Sequence, residues 1–181
     1  MFKDEPKKLY LITGQSGSGK DYYCDKLIKA KSKFSKVISA TTREPRYEGE
    51  TTHRFVSVEQ CEKDKEKMVA YTFQNGIHYY TTIEDLKPNS LYIIDPPGVE
   101  YLKGLEQKIF EETDIEEIEV IYIKVPRIVR LFNMIFRRKD SVKEALKRDK
   151  NDKQLYKGIK KKDYVDFIFN PVEFMLYMLD K

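Results

Sequence analysis

The chain has 181 residues, a length that favours one domain with a sizeable core over a multidomain protein. Its 34 lysines and arginines against 30 aspartates and glutamates give a net charge of +4, too small to indicate a nucleic-acid-binding protein. Cys24 and Cys61 lack metal-ligand spacing, and no apolar stretch approaches the length of a membrane span. The sequence therefore predicts a cytoplasmic protein that binds neither nucleic acid nor a membrane, and it leaves open whether the chain is a monomer or a homodimer.

The first motif is a glycine-rich segment between an apolar run and a helical pattern. Residues 9–12 are apolar, as in a buried parallel strand, and residues 21–28 carry apolar side chains at helical spacing. Between them, residues 14–20 match G-x-x-x-x-G-K, the P-loop, whose backbone N–H groups at a helix N-terminus bind phosphate oxygens. The residues predicted to hold a nucleotide through this loop are Gly14, Gln15, Ser16, Gly17, Ser18, Gly19, Lys20 and Asp21.

The next part of the chain is more polar and predicts a mixed lobe. Residues 37–40 favour a short strand, and residues 41–54 are too polar for a core, which indicates an exposed functional loop. A strand at 55–58 and a charged helix at 58–67 follow. Residues 69–73 and 77–82 favour a hairpin that turns at Asn75-Gly76.

The remainder returns to alternating strands and helices. Residues 90–95 predict a buried strand that ends in Asp95, and a helix is expected over residues 99–110. A strand at 118–125 and a helix at 127–136 come next. A capping box at residues 141–144 begins a helix that runs through Arg148, and a strand at 164–169 leads to a last helix. This order predicts an α/β fold with a doubly wound parallel sheet and an inserted α+β lobe.

Several separated segments resemble guanylate kinase-type nucleoside monophosphate kinases. Residues 38–46 resemble the family's S-x-T-T-R-x-P-R phosphate-binding segment, and residues 55–57 resemble its F-V-S. The pair Tyr79-Tyr80 is similar to the family's Y-Y, and residues 94–98 are similar to its I-D-x-x-G. Residues 137–141 and 164–170 resemble its lid turn and its Y-D-x-V-x-N ending.

The resemblance implies one P-loop kinase domain over residues 1–181, with an inserted monophosphate-binding lobe and a helical lid. The core would comprise residues 1–36, 88–126 and 155–181. The acceptor-binding lobe would be residues 37–87, and the lid would be residues 127–154.

The resemblance also implies a reaction and its residues: ATP, with Mg²⁺, phosphorylates a nucleoside monophosphate, GMP or dGMP first. The expected catalytic residues are Lys20, Arg43, Asp95, Arg137, Arg138 and Arg148. The expected substrate-binding residues are Ser39, Arg43, Arg46, His53, Tyr80 and Thr82. Asn170 is expected to contact adenine, and Asp21 and Asp95 are the expected magnesium ligands. Guanidinium groups suit the acceptor because they bind two phosphate oxygens at once.

The sequence departs from the family pattern in two places that leave alternatives open. Asp21 stands where a Ser or Thr normally holds magnesium, as in some small-molecule kinases such as ribose bisphosphate phosphokinase. Residues 69–74 lack the guanine-reading glutamate, for which Gln74 is an imperfect substitute. A ribose 1,5-bisphosphate kinase is therefore one alternative, and a catalytically silent module that binds phosphopeptides is another.

Overall fold

The computed structural model describes residues 6–74 and 76–181. Within them the strands are β1 (Lys8–Thr13), β2 (Ser35–Lys36), β3 (Ala40–Thr41), β4 (Arg54–Phe55), β5 (Met68–Gln74), β6 (Ile77–Thr82), β7 (Ser90–Ile93), β8 (Glu117–Ile123) and β9 (Phe167–Phe169). The α-helices are α1 (Lys20–Ala30), α2 (Val58–Lys63), α3 (Pro96–Lys103), α4 (Glu106–Glu112), α5 (Arg127–Phe132), α6 (Val142–Leu155) and α7 (Pro171–Asp180). A π-helical turn, Asn133–Arg137, continues α5.

A parallel sheet in the order β2-β7-β1-β8-β9 forms the centre of the fold. Side chains alternate between the faces of a strand, so β1 contributes to both layers of the core. Leu11 packs with Val99 of α3 and Ile109 of α4 on one face, and Ile12 packs with Leu27 of α1 and Phe174 of α7 on the other. The predicted doubly wound parallel sheet is therefore confirmed.

A second sheet, in the order β4-β3-β6-β5, is built from the polar middle part of the chain. The predicted hairpin is confirmed, since β5 and β6 pair antiparallel with Tyr71 opposite Tyr80. Its predicted turn residue Asn75 lies outside the described residues. The strand predicted at 37–40 is wrong, because the chain leaves the first sheet after β2 and enters the second only at β3. Ser39 consequently lies in the connection between the two sheets.

Two predicted helices also differ from the structure. The helix expected at 99–110 is divided into α3 and α4, which are separated by Gly104 and Leu105. The helix expected at 127–136 is α-helical only through Phe132 and then widens into the π-helical turn. The capping box is confirmed: Ser141 Oγ accepts from the Glu144 N–H at 3.2 Å, and α6 extends from there to Leu155. None of the helices in the described ranges is long and apolar enough to cross a membrane.

Candidate active site

The P-loop connects β1 to α1 through two residues in the left-handed region of backbone conformation. Gly17 has φ 78° and Gly19 has φ 82°, values that residues with a Cβ adopt at a cost. A Cβ on Gly17 would also collide with the backbone carbonyl of Arg130. Glycine is therefore required for this loop conformation. The loop leads into the N-terminus of α1, where free N–H groups and the helix dipole favour the binding of anions.

Lys20 begins α1 and turns back over the loop. Its Nζ donates to the carbonyl oxygen of Gly14 and lies 3.4 Å from that of Gln15 and 3.5 Å from Ser18 Oγ. Burial lowers the pKa of Lys20, whereas the carboxylates of Asp21 and Asp152 act in the opposite direction. The ammonium group therefore lies inside the curve of the loop, within reach of a phosphate bound there.

A cavity of about 970 Å³ opens in front of the loop. It brings together six residues predicted from the sequence, contributed by the P-loop, the second sheet's lobe, the end of β7 and α6: Gly14, Ser16, Lys20, Arg46, Asp95 and Arg148. A smaller cavity of about 180 Å³ shares Asp95 with it and is lined by Ser39, His53 and Tyr80. The volume of the larger cavity lies within the range of ligand pockets in proteins.

Asp95 lies at the carboxyl end of the central parallel sheet, as predicted, and is the N-cap of α3. Its Oδ1 accepts from the Gly98 N–H at 2.9 Å and from Thr72 Oγ1 at 3.1 Å. Thr72 belongs to β5, so this hydrogen bond joins the two sheets. Burial raises the pKa of Asp95, and these hydrogen bonds oppose the shift.

Ser39 and His53, both predicted to contact the acceptor, form a pair. Ser39 Oγ lies 2.9 Å from His53 Nδ1, and the edge of the His53 ring packs against Tyr79 with centroids 5.6 Å apart. Burial lowers the pKa of His53, and the neighbouring Arg43 guanidinium adds to the shift. Both effects favour the neutral imidazole, which can donate or accept a hydrogen bond.

Arg43 is bound by a carboxylate of its own chain. Its guanidinium donates to Glu50 through Nη2 at 2.8 Å and Nη1 at 3.2 Å. Glu50 also accepts from the Arg46 N–H and from Thr52 Oγ1, both at 2.6 Å. The Arg46 guanidinium, in contrast, makes no hydrogen bond or salt bridge with another residue in 6–74 and 76–181, and it lines the large cavity. Arg46 is therefore the arginine of this segment that is available to a ligand.

Glu50→Gln is expected to make the free energy of unfolding vary less with pH in the acid range. The hydrogen bonds from Arg43, Arg46 and Thr52 lower the pKa of Glu50 from 4.5 to about 2. A carboxyl group with a lowered pKa stabilises the folded state above its unfolded pKa, and this contribution is lost as the pH falls from 4.5 toward 2. Urea unfolding between pH 6 and pH 3 measures the effect: the wild type should lose more free energy of unfolding over this range than Glu50→Gln, and parallel curves would contradict the assignment.

Two predicted substrate-binding hydroxyls have partners within the second sheet's lobe. Tyr80 is 1% exposed, and its hydroxyl donates to Asp64 Oδ2 at 2.6 Å. Burial raises the pKa of Tyr80, and its bond to Asp64 adds to the shift. Thr82 Oγ1 donates to Asp85 Oδ2 at 2.9 Å in a capping interaction, and Thr82 lines neither cavity. Contacts from these two hydroxyls to a substrate remain predictions.

Two of the three predicted lid arginines lie near the same carboxylate, that of Asp140. Arg138 Nε lies 3.9 Å and Arg148 Nε lies 3.6 Å from Asp140 Oδ2. Arg148 lines the large cavity, whereas Arg137 and Arg138 are exposed and line neither cavity. Arg137 and Arg138 could neutralise the charge of the transferred phosphoryl group only if the predicted lid moved toward the cavity. Their catalytic role therefore remains a prediction.

Two further predicted residues also lie outside the cavity walls. The Asp21 side chain is 74% exposed and contacts Lys36 Nζ at 3.0 Å. Partial burial acts to raise the pKa of Asp21, but the Lys36 ammonium, with Lys20 and Arg138, lowers it overall. Asn170 caps α7, with Oδ1 accepting from the N–H groups of Val172 and Glu173 at 2.9 and 3.0 Å. The predicted roles of Asp21 in metal binding and of Asn170 in adenine binding remain predictions.

Sequence reasoning missed a group of side chains that hold the P-loop from α5 and α6. Arg130 is 4% exposed and donates to the carbonyl oxygen of Ser16 at 3.3 Å and to Asp149 Oδ1 at 2.9 Å. Asp152 and Tyr156 contact the other side of the loop. One signal was present: Asp152 and Tyr156 follow Arg148 at steps of four residues, so the three side chains share one side of the helical segment.

Comparison with known proteins agrees with the architecture. The sequence model of the guanylate kinase family matches residues 6–170. No curated protein matches the chain. The structure is similar to the crystal structure of guanylate kinase from Anaplasma phagocytophilum, with a TM-score of 0.59 and 18% sequence identity, over 97% of this chain and 85% of that one. At this identity the structural similarity establishes the fold alone.

Proposed function

The chain belongs to the guanylate kinase family, and from this premise we propose that it transfers the γ-phosphoryl group of ATP to GMP or dGMP. Family and fold support phosphorylation of nucleoside monophosphates in general. The observation that carries the proposal is the large cavity that Lys20, Arg46, Asp95 and Arg148 line together. Phosphoryl transfer depends mainly on positioning and on neutralising charge. Four cationic side chains around one space, Lys20, Arg46, Lys147 and Arg148, serve both purposes.

The donor half of the proposal rests on the P-loop. Gly17 and Gly19 adopt left-handed backbone conformations, and a Cβ on them would collide with the Arg130 backbone and the Tyr23 ring. Only glycine therefore allows this loop backbone, whose N–H groups can form an anion-binding site. The N–H groups of the loop would hold the donor phosphates, and Lys20 would reach the outer ones. The guanidinium of Arg148 would contact the transferred group from the opposite wall.

The acceptor half rests on the connection between the two sheets. Arg46 would bind the acceptor phosphate, with Ser39 and His53 as neighbouring hydrogen-bonding groups. Arg43 would support this site by fixing the loop through Glu50. Gln74 lines both cavities and offers an amide oxygen and nitrogen to the base.

Asp95 fits the magnesium ion that the reaction requires. Both of its side-chain hydrogen bonds within the described residues are to Oδ1, which leaves a second hard oxygen for a metal. When bound, the ion would neutralise charge on the donor phosphates. Asp21 is the second ligand expected from the sequence, but its carboxylate is exposed and already paired with Lys36, so we propose Asp95 as the main ligand.

Asp95→Asn and Asp21→Asn are expected to show which of the two carboxylates holds the magnesium ion. We expect Asp95→Asn to lower kcat by about 10²-fold and to raise the magnesium concentration needed for half-maximal rate, because the carboxylate lines the transfer cavity. Asp21→Asn should change kcat by less than about threefold, because its exposed carboxylate contacts Lys36. Magnesium titrations of ATP turnover measure both; a larger loss in Asp21→Asn would assign the metal to Asp21 instead.

A screen of acceptors tests the proposed function. ADP release is measured with ATP, Mg²⁺ and each of GMP, dGMP, AMP, CMP, UMP and ribose 1,5-bisphosphate. We expect the highest kcat/KM with GMP or dGMP. A preference for ribose 1,5-bisphosphate would overturn the nucleotide acceptor. If a folded sample turned over none of these compounds and bound phosphopeptides regardless of ATP, the proposal that the protein is an enzyme would be contradicted.

A further inference from the structure

The end of α6 bears directly on the P-loop. Asp152 Oδ2 accepts from the Ser16 N–H at 2.6 Å, and the Tyr156 hydroxyl donates to the Gly14 carbonyl oxygen at 2.9 Å. Asp152 is 8% exposed and lines the wall of the large cavity next to Ser16 and Lys20. A carboxylate of the chain is therefore bound at the mouth of the phosphate-binding loop.

The positive charge of Arg130 stabilises this carboxylate in its position. Arg130 Nη1 lies 3.8 Å from Asp152 Oδ2, while Nη2 of the same guanidinium is bonded to Asp149. Arg130 also donates to the carbonyl oxygen of Ser16. The buried arginine thus contacts both partners of the Ser16–Asp152 hydrogen bond, which is charge-assisted and about twice as strong as a neutral one.

The inner part of the loop differs from Ser16. The N–H groups of Gly17, Gly19 and Lys20 have no hydrogen-bond acceptor within residues 6–74 and 76–181, and they precede or begin α1. Inner loop N–H groups of this kind cradle the inner phosphates of a nucleotide. Ser16 lines the large cavity, into which the terminal phosphate of a bound nucleotide would extend, and its N–H is bonded to Asp152.

We propose that Asp152 is a specificity-determining residue of the donor site, which makes the terminal phosphate of a nucleoside triphosphate compete with an internal carboxylate. The inference rests on the proposed function insofar as the loop binds the donor nucleotide. A diphosphate occupies the inner N–H groups while Asp152 keeps its bond to Ser16. A triphosphate places a second anion beside Asp152 and must displace it.

Displacement of Asp152 also involves the helix that carries Arg148. Arg148 lies one helical turn before Asp152 on α6, and both line the large cavity. The terminal phosphate therefore displaces the Asp152 carboxylate, which repels it, and contacts the Arg148 guanidinium, which attracts it and lies on the same helix. After transfer, the diphosphate that remains no longer competes with Asp152, and the return of the carboxylate to Ser16 favours the resting arrangement.

Binding of ATP and ADP to Asp152→Asn tests the inference. Isothermal titration is performed with each nucleotide, without metal and with Mg²⁺. Asparagine keeps the shape but removes the negative charge, so we expect ATP to bind about tenfold more tightly and ADP to change by less than about twofold. Asp149→Asn is the matched control, because Asp149 contacts the same Arg130 but no N–H group of the P-loop; the ATP-to-ADP affinity ratio should stay at the wild-type value.

Three outcomes would overturn the inference. An unchanged ratio in Asp152→Asn would mean that the carboxylate does not compete with the terminal phosphate. Weaker ATP binding only with Mg²⁺ would mean that Asp152 holds the metal. Binding of neither nucleotide to folded wild-type protein would contradict the proposed function as well, whereas the first two outcomes leave it intact. Asp152→Ser, measured in the same way, provides the readout if Asp152→Asn does not fold.

Discussion

Lys20→Ala is expected to lower kcat for phosphoryl transfer by about 10²- to 10³-fold while the protein stays folded. The ammonium group lies inside the P-loop, close to the carbonyl oxygens of Gly14 and Gln15, and it lines the transfer cavity. Its loss removes the cation that the P-loop contributes to this cavity, and the other lysine that lines the cavity, Lys147, is on α6. Coupled ADP release at saturating substrates gives kcat.

The matched control is Lys29→Ala, which removes an exposed lysine from the last turn of the same helix. Its kcat should lie within about twofold of the wild-type value. Equal rates in Lys20→Ala and Lys29→Ala would mean that the loop does not act on the donor phosphates, although the glycine geometry would still explain the fold.

Arg130→Met is expected to lower the free energy of unfolding by about 3 kcal/mol. The arginine is 4% exposed, and its removal leaves Arg127 as the one ion-pair partner of the largely buried Asp149 among residues 6–74 and 76–181. Burial acts to raise the pKa of Asp149, and the two arginines outweigh it and lower the pKa, so the unpaired carboxylate becomes costly. Urea unfolding at pH 7 measures the change.

Arg127→Met is the control for this variant because Arg127 donates to the same carboxylate at 2.7 Å but has a 65% exposed side chain. Exposed ion pairs contribute little, so its loss should cost less than about 1 kcal/mol. A similar cost for the two variants would indicate that burial of Arg130 does not determine the strength of the network.

The parts of this fold that the sequence predicted correctly are those governed by local rules. The apolar run before the P-loop forms the central strand, and the capping box at Ser141 begins α6. The hairpin of β5 and β6 follows from alternation and turn chemistry. Each of these signals lies within about ten residues, so tertiary context does not change it.

Other features of the structure depend on partners distant in sequence or on the choice of sheet. Residues 37–40 have strand composition, but the chain crosses between two sheets there, which composition does not reveal. Arg43 matches a phosphate-binding pattern, yet Glu50 binds its guanidinium because the intervening loop folds back. For Tyr80, a bond to Asp64 from the end of α2 could not be read from the hairpin alone.

Asp152 illustrates a third case, in which the sequence contained a pattern but did not show what the pattern does. Its spacing from Arg148 placed both on one side of a helix, but only the docking of α6 on the P-loop brings the carboxylate to Ser16. The sequence therefore identified the loop and six of the residues that line the large cavity. The structure was required to identify which of them already have partners within the chain.

Transfer of label from γ-³²P-ATP tests the central claim most directly. Wild-type protein is incubated with Mg²⁺ and GMP or dGMP, Lys20→Ala is treated in parallel, and the products are separated by chromatography. We expect the label in the nucleoside diphosphate for the wild type and almost none there for Lys20→Ala. Label that stays in ATP, or appears only as inorganic phosphate with every nucleoside monophosphate, would contradict the claim that this protein is a nucleoside monophosphate kinase.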